Sequence, residues 1–382
     1  MKRRLFEPEH DAYRDSVRTF LDKKVVHEYA SWERAGIVPR ELFTDLGDLG
    51  AFGFGVPEEY GGSGVTDFRF NIVLIEEAQR LAVAPALLGA SLQADICLPY
   101  FLELATEEQK RRWLPGIASG QLITAIAMTE PGTGSDLSGI RTQAVRDGEH
   151  YVVDGAKTFI TNGINADLVI VAVRTGDHPH RGLSLMVVER DTPGFERGRN
   201  LGKVGMHAQD TAELSFSGAR VPVENLLGEE GTGFFSLTKN LAQERLSLAA
   251  GAVAGAEAAL SWTTAYVKER TAFGNPIGAL QNTRFRMAEM ATQVDLGRLF
   301  VDRCVDELNA GTLEPVDAAK AKWWGTELQW DVVDTCAQLH GGYGYMLEYP
   351  IARAWADSRV QRVYGGTTEI MKDLIGRSMR LS

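Results

Sequence analysis

The sequence predicts an α+β protein in three successive segments: helical over residues 1–125, β over 126–229 and helical again over 230–382. Three observations carry this. Apolar residues recur at helical spacing in the first segment, and short β-branched runs broken by Asp-Gly and Asn-Gly replace them in the second. The third is rich in Ala, Leu, Glu, Lys and Arg, with glycine pairs where helices should stop. At 382 residues the chain exceeds one ordinary domain, so several packed units are expected.

In the first segment Pro8 suits an early helical position, and Val17, Phe20, Leu21 and Val25 fall on one face. Thr106 followed by Gln109 forms a capping-box pattern that opens a further helix. Gly53 to Gly64 interrupts the helices as a glycine-rich loop. The apolar stretch from Leu81 to Leu104 contains Pro85, Gln93, Asp95 and Pro99, and is expected to be buried helix rather than a bilayer span.

The middle segment contains Tyr151–Val153, Leu168–Val173 and Leu183–Val188, with Asp154-Gly155 and Asn162-Gly163 as hairpin signals. No helical stretch intervenes to make parallel crossovers. A small antiparallel barrel or sandwich is the expectation.

Composition narrows the function. A net charge of −11 without a dense basic cluster after Arg4 argues against nucleic-acid binding. Cys97, Cys304 and Cys336 are odd in number and far apart, which suits neither a disulfide framework nor a zinc site, so no metal is expected. The N-terminus carries Glu7 and Glu9 without an apolar run, and a cytoplasmic protein with no membrane association is expected. No Ser-His-Asp order or H-E-x-x-H pattern points to hydrolase chemistry.

Three stretches and one histidine could carry chemistry. Thr129 to Asp136 is a glycine-bearing turn whose N–H groups and Ser135 hydroxyl fit an anion nest and equally a structural turn. Lys157 to Gly163 puts Phe159 and Thr161 on one side of a strand end, where they fit a planar ring and equally an ordinary strand. Val363 to Ile370 is a tight turn that fits an oxygen-binding site and equally a helix cap, and His340 reads as a residue favoured at a helix C-terminus.

Glu244 is the most informative ionisable residue. Leu237, Leu241, Glu244 and Leu248 share one helical stripe, so a carboxylate replaces an apolar residue in a core-facing row. Burial raises a carboxyl pKa toward neutrality, where a general base works best. Gly251, Ala252, Gly255 and Ala256 follow on the same helix, fitting either room for a chain or close helix packing.

Together these stretches resemble the acyl-CoA dehydrogenase family over essentially the whole chain. The matches are Ala127 to Asp136, Lys157 to Gly163, Arg270 to Gly274 with Gln281, Gln338 to Gly344, and Tyr364 to Thr367. The resemblance implies an N-terminal helical domain, a middle β-domain and a C-terminal four-helix bundle. It also implies FAD, an acyl-CoA substrate converted to the trans-2-enoyl thioester, a homotetramer or at least a homodimer, and an electron-transfer flavoprotein as acceptor. By resemblance, Thr129, Ser135, Phe159 and Thr161 contact the flavin of the same subunit. Arg270, Phe273, Gln281, Gln338 and Gly342 reach the FAD of a neighbouring subunit, with Thr367 and Glu369 close to the cofactor. Ser135, Arg245 and Tyr364 are candidate substrate contacts.

One departure bears on mechanism. Many members of the family carry their base in a Tyr-Glu-Gly-Thr motif, but here the motif reads Tyr364-Gly365-Gly366-Thr367. A minority, including the long-chain branch, place it in a Glu-Arg-Leu context on the preceding helix. Glu244-Arg245-Leu246 matches that context, so Glu244 is the implied α-proton base, with the Gly365 N–H aimed at the thioester carbonyl. The same resemblance points to long or bulky acyl groups. The alternatives are a carrier-protein thioester dehydrogenase, an acyl oxidase, a flavin monooxygenase and a non-catalytic FAD-binding module.

Overall fold

The structure, a computed structural model, describes residues 3–380. The N-terminal helices are α1 (Pro8–Lys24), α2 (Tyr29–Ala35), α3 (Glu41–Asp48), α4 (Arg69–Arg80), α5 (Ala84–Ser91), α6 (Leu98–Leu104) and α7 (Glu107–Ala118). Val17 and Leu21 of α1 and the following Val25 are fully buried, as their spacing predicts. The capping box forms: Thr106 and Gln109 each bond the other's backbone N–H.

A π-helical turn, Leu92–Cys97, joins α5 to α6 without a break. The resulting run, Ala84–Leu104, is long and apolar enough to cross a membrane by length and composition, and in the fold it is largely buried helix, as the sequence predicts. Pro85 and Pro99 do not interrupt it because each lies in the first turn of a helical stretch. In this structure Cys97, Leu98, Tyr100 and Phe101 of the run pack into a core shared with α7 and the sheet.

The sheet comprises β1 (Thr124–Ala127), β2 (Gln143–Asp147), β3 (His150–Thr161), β4 (Leu168–Arg174), β5 (Leu183–Glu189), β6 (Phe195–Asn200), β7 (Thr211–Pro222) and β8 (Leu226–Leu227). Its order is β6-β7-β3-β2-β4-β5-β8, with β1 also on β4. Two sequence expectations are corrected here. The sheet is open, with β6 and β8 at its ends, and both β1 and β2 run parallel to β4. Asp154-Gly155 makes no hairpin but sits at a bulge within β3, where a Cβ on Gly155 would meet Thr142 at 2.5 Å. Asn162-Gly163 leads from β3 to β4, which are not paired to each other, and the tight hairpin is at Gly148-Glu149.

β4 is a continuous apolar run because both its faces are covered. Leu168, Ile170 and Ala172 pack toward Trp113, Leu114 and Ile117 of α7. Val169, Val171 and Val173 face the opposite way, into the fold of the sheet with Leu214 and Phe216. The period of two thus divides one strand between two cores.

The C-terminal helices are α8 (Gly233–Glu269), α9 (Gln281–Asn309), α10 (Pro315–His340), α11 (Pro350–Ser358) and α12 (Thr368–Ser378). Close approach of α8 and α10 explains Gly255: a Cβ there would lie 2.4 Å from the Gln329 amide, so this glycine serves packing. At Gly251 a Cβ would make only ordinary contact, 3.7 Å from Ile75.

Candidate active site

Glu244 lies in the N-terminal third of α8, 4% exposed. Its flanking stripe residues Leu241 and Leu248 are half-buried, whereas Leu237 is fully buried. One carboxylate oxygen, Oε1, accepts from the Tyr100 hydroxyl of α6 at 2.9 Å. Burial pushes the carboxyl from its usual 4.5 up to about 7, although the Tyr100 hydrogen bond and the Arg245 charge pull the other way. It is therefore poised to exchange a proton near neutral pH.

The helices bearing these groups are bolted together. Asp95, in the π-helical turn, accepts from Ser247 at 2.5 Å and from Asn71 at 2.7 Å, and its carbonyl accepts from Gln243 at 2.8 Å. Gln243 and Ser247 sit on either side of Glu244 on α8.

Gly365 lies against the same stretch of α8. A Cβ there would fall 2.3 Å from Leu248 Cδ1, one helical turn beyond Glu244. Its φ is +63°, in the left-handed region that favours glycine, and Gly366 follows at +97°. Among the described residues the Gly365 N–H has no hydrogen-bond partner. The Gly366 carbonyl accepts from the buried Lys322 at 2.6 Å, which anchors the turn to α10. Burial pulls the Lys322 ammonium down to about 8, and the charge of Arg245 adds to that.

Arg245, a candidate substrate contact, makes no carboxylate ion pair among the described residues. It is buried, its Nε has no partner among the described residues, and burial lowers its pKa while Glu244 raises it. The Tyr364 hydroxyl is likewise buried without a partner among the described residues.

The second group of candidates surrounds the end of β3. Thr129 accepts the Thr158 N–H at 2.9 Å, which sets the 129–136 turn beside Phe159 and Thr161. Glu130 locks the turn in place, accepting from Arg141 N at 2.7 Å, Thr142 N at 2.9 Å and Lys157 Nζ at 2.8 Å. Ser135 is exposed on the turn, and a Cβ on Gly132 would meet nothing within 4 Å. Phe159 sits at a bulge with φ +61° and its ring 68% exposed. A bulky residue held at positive φ with its apolar face in water is costly, and such strain collects where a ligand will cover it. The turn and the ring together fit the edge and face of a flavin.

A third group is split. Arg270, Gln338 and Gly342 line one cavity of about 480 Å³ beside the Tyr266–His340 stack. Phe273 and Gln281 lie on the outer surface. Phe273 and Gly274, both at positive φ, form the tip of a small hairpin that thrusts the Phe273 ring 92% into solvent. Thr367 caps α12 through Ile370 N, and Glu369 is exposed in its first turn. His340 is buried, bonded through Nδ1 to the Cys336 carbonyl and set apart from Glu244 by its place at the far end of α10.

Sequence reasoning missed Tyr100 and Lys322. Tyr100 is one aromatic in an apolar run, and nothing local marks its hydroxyl as facing a glutamate 144 positions away. Lys322 lies in an alanine-rich helix that reads as solvated.

A carboxyl with neutral-range proton affinity, one helical turn from the leucine on which the Gly365 turn packs, suits proton removal next to a carbonyl, and a strained aromatic on a nest-bearing turn suits a flavin. That pairing defines a flavin-dependent oxidoreductase acting on carbonyl-activated carbon. Comparison with known proteins makes this specific. The N-terminal, middle and C-terminal domains of acyl-CoA dehydrogenase match residues 7–121, 125–219 and 231–380. The chain is 46% identical over 380 residues to the mitochondrial long-chain specific acyl-CoA dehydrogenase of Sus scrofa, covering 99% of this chain and 88% of that protein. It superposes on an acyl-CoA dehydrogenase from Geobacillus kaustophilus with TM-score 0.97 and 51% identity, covering all of both chains. An FAD complex of an acyl-CoA dehydrogenase from Bacillus anthracis gives TM-score 0.91 and 31% identity over 98% of this chain and 68% of that one. The chain belongs to the acyl-CoA dehydrogenase family and is an oxidoreductase that dehydrogenates acyl-CoA with FAD.

Proposed function

We propose that Glu244 is the base that removes the α-proton of a long-chain acyl-CoA, giving the trans-2-enoyl thioester. The observation that carries this is a carboxyl buried in an apolar stripe, with proton affinity near neutrality, one helical turn from Leu248, on which the turn that in this chain holds Gly365 instead of a glutamate packs. The C–H bond breaks, the proton passes to the carboxylate and the electron pair stays on the acyl group. The Gly365 N–H is the donor available to the thioester oxygen as charge gathers there. FAD, held by the residues named below, would supply the two-electron acceptor for the β-hydrogen.

Thr129, Ser135, Phe159 and Thr161 would hold the flavin in the same subunit. Arg270, Gln338 and Gly342, with the protruding Phe273, would serve a neighbouring copy. The exposed apolar residues Phe285, Leu296 and Leu299 of α9 and Trp324 of α10 support assembly into a homotetramer. Likeness to the long-chain enzyme of Sus scrofa supports the chain-length reading, and electron-transfer flavoprotein is the acceptor proposed.

The test is anaerobic bleaching of the flavin by acyl-CoA thioesters of increasing length. Glu244→Gln should retain FAD while reduction slows by roughly 100-fold or more, the usual worth of a positioned base. Near wild-type reduction in that variant would remove Glu244 from the role, and fastest bleaching by short chains would overturn the substrate reading.

A further inference from the structure

Only one oxygen of Glu244 is engaged. Oε1 accepts from Tyr100, while Oε2 accepts no hydrogen bond among the described residues and is not sealed from solvent. Tyr100 itself is fully buried on α6. The helical run that carries it is pinned to α8 by the hydrogen bonds that Asp95 accepts from Ser247 and Gln243, and to α4 by the one from Asn71. The hydroxyl is thus held on the carboxylate by two helices whose relative position is set independently of the contact itself.

We infer that Tyr100 is a positioning residue for the base: its hydroxyl ties Oε1 so that Oε2 alone faces the α-carbon, and it keeps enough of Glu244 ionised to act near neutral pH. This rests on Glu244 being the base. A free glutamate in a pocket has several rotamers and two equivalent oxygens. Tethering one of them leaves a single basic oxygen at a defined place, which is what proton transfer in a preorganised site requires.

The hydroxyl also acts on ionisation. The groups facing Glu244 are Tyr100 from α6, Cys97 and the nearby Asp95 from the π-helical turn, and Arg245 from α8, itself faced by Lys322 of α10. Only Tyr100 and Arg245 favour the carboxylate, against the full effect of burial. Without the hydroxyl, burial would be opposed by Arg245 alone, and more of the carboxyl would be protonated at pH 7.

The experiment uses FAD-loaded wild type, Tyr100→Phe, Glu244→Gln and the double variant. Infrared difference titration reads the protonated carboxyl band that Glu244→Gln abolishes, so the ionisation of Glu244 is followed without turnover. In Tyr100→Phe its midpoint should rise by about one pH unit, as expected for one lost hydrogen bond to a charged group. The acid limb of kcat should move with it, kcat at pH 7 should fall about 10-fold, and KM should stay within about two-fold. In the Glu244→Gln background, Tyr100→Phe should change nothing further.

An unmoved midpoint in Tyr100→Phe overturns the inference, whether or not the rate falls, because a packing defect alone would slow the enzyme without retuning Glu244. A further loss in the double variant also overturns it. If Glu244→Gln stays active, the base assignment itself is wrong, which is a separate result. Should Tyr100→Phe lose its FAD, 3-fluorotyrosine at position 100, a stronger donor of nearly the same shape, must lower the midpoint; an unchanged midpoint sinks the idea equally.

Discussion

Glu130 and Glu244 are both buried glutamates, 7% and 4% exposed, yet their proton affinities move in opposite directions. Burial works against the charge of both. At Glu130 it is outweighed by Lys157 and by the N–H groups of Arg141 and Thr142, and the carboxyl is held below its ordinary value. At Glu244 one phenol and the Arg245 charge do not outweigh it, and the carboxyl rises to about 7. Burial alone therefore identifies neither. A glutamate matched by a buried cation is a bolt, and one facing neutral donors can exchange protons.

The largest effect expected from this contrast is structural. Lys157→Met leaves Glu130 buried without its cation, at a cost of about 3–5 kcal/mol. The 129–136 turn should loosen with it, so urea unfolding should show the loss in stability and the purified protein should hold less FAD. A variant as stable and as yellow as wild type would mean that Glu130 is not the bolt described.

Asp357 sharpens the comparison from the other side. Asp357 is half-buried as a residue, yet its carboxyl is raised to about 7, chiefly by desolvation, although it accepts the Met206 N–H. A folded-state value above the unfolded one stabilises most below about pH 4 and loses that contribution as pH rises toward 7. Asp357→Asn keeps an acceptor for Met206 but carries no charge. It should be more stable than wild type at pH 8 by about 2 kcal/mol and no more stable at pH 4. Parallel melting curves at the two pH values check this, and a variant with the same pH dependence as wild type contradicts it. Glu130 contributes with the opposite sign: its stabilisation is present above the unfolded value and disappears as pH falls through the lower folded one.

Arg270→Ala should weaken FAD retention about 10-fold, because a charge-assisted contact to a phosphate is worth about 1.5–3 kcal/mol. Equilibrium dialysis against dilute FAD measures it, and unchanged retention in a dissociated monomer would show that the cavity at Arg270 serves no neighbour's cofactor.

The smallest effect concerns moving the base. Glu244→Gly with Gly365→Glu puts a carboxylate on the facing turn, but the turn is at φ +63° and a Cβ there collides with Leu248. Only slight recovery of flavin reduction over Glu244→Gly is expected, and adding Leu248→Ala should increase it by about 3-fold through relief of that contact. No gain from Leu248→Ala would place the obstacle in the backbone.

Much of this molecule was legible because the signals are local. The α1 stripe, the Thr106 capping box and the apolar row interrupted by Glu244 depend on spacings of three and four residues within one helix. Strand pairing was not. Asp154-Gly155 has the composition of a hairpin turn, yet β3 runs straight through it because Thr142 leaves room only for a glycine and β7 pairs on both sides of the bulge. The parallel seating of β1 and β2 on β4 depends on contacts between distant segments, which no window of sequence contains.

The sequence by itself determined that a carboxylate stands at 244 and none at 365, and that Glu244 shares a face with leucines. Only the tertiary structure decided what that carboxylate is. Its desolvation comes from helices folded over it, its hydrogen-bond donor from Tyr100, and the glycine packed on the neighbouring Leu248 from a turn more than a hundred residues on. Proton affinity is a property of the surroundings of a group, and these surroundings are assembled from parts of the chain that meet only on folding.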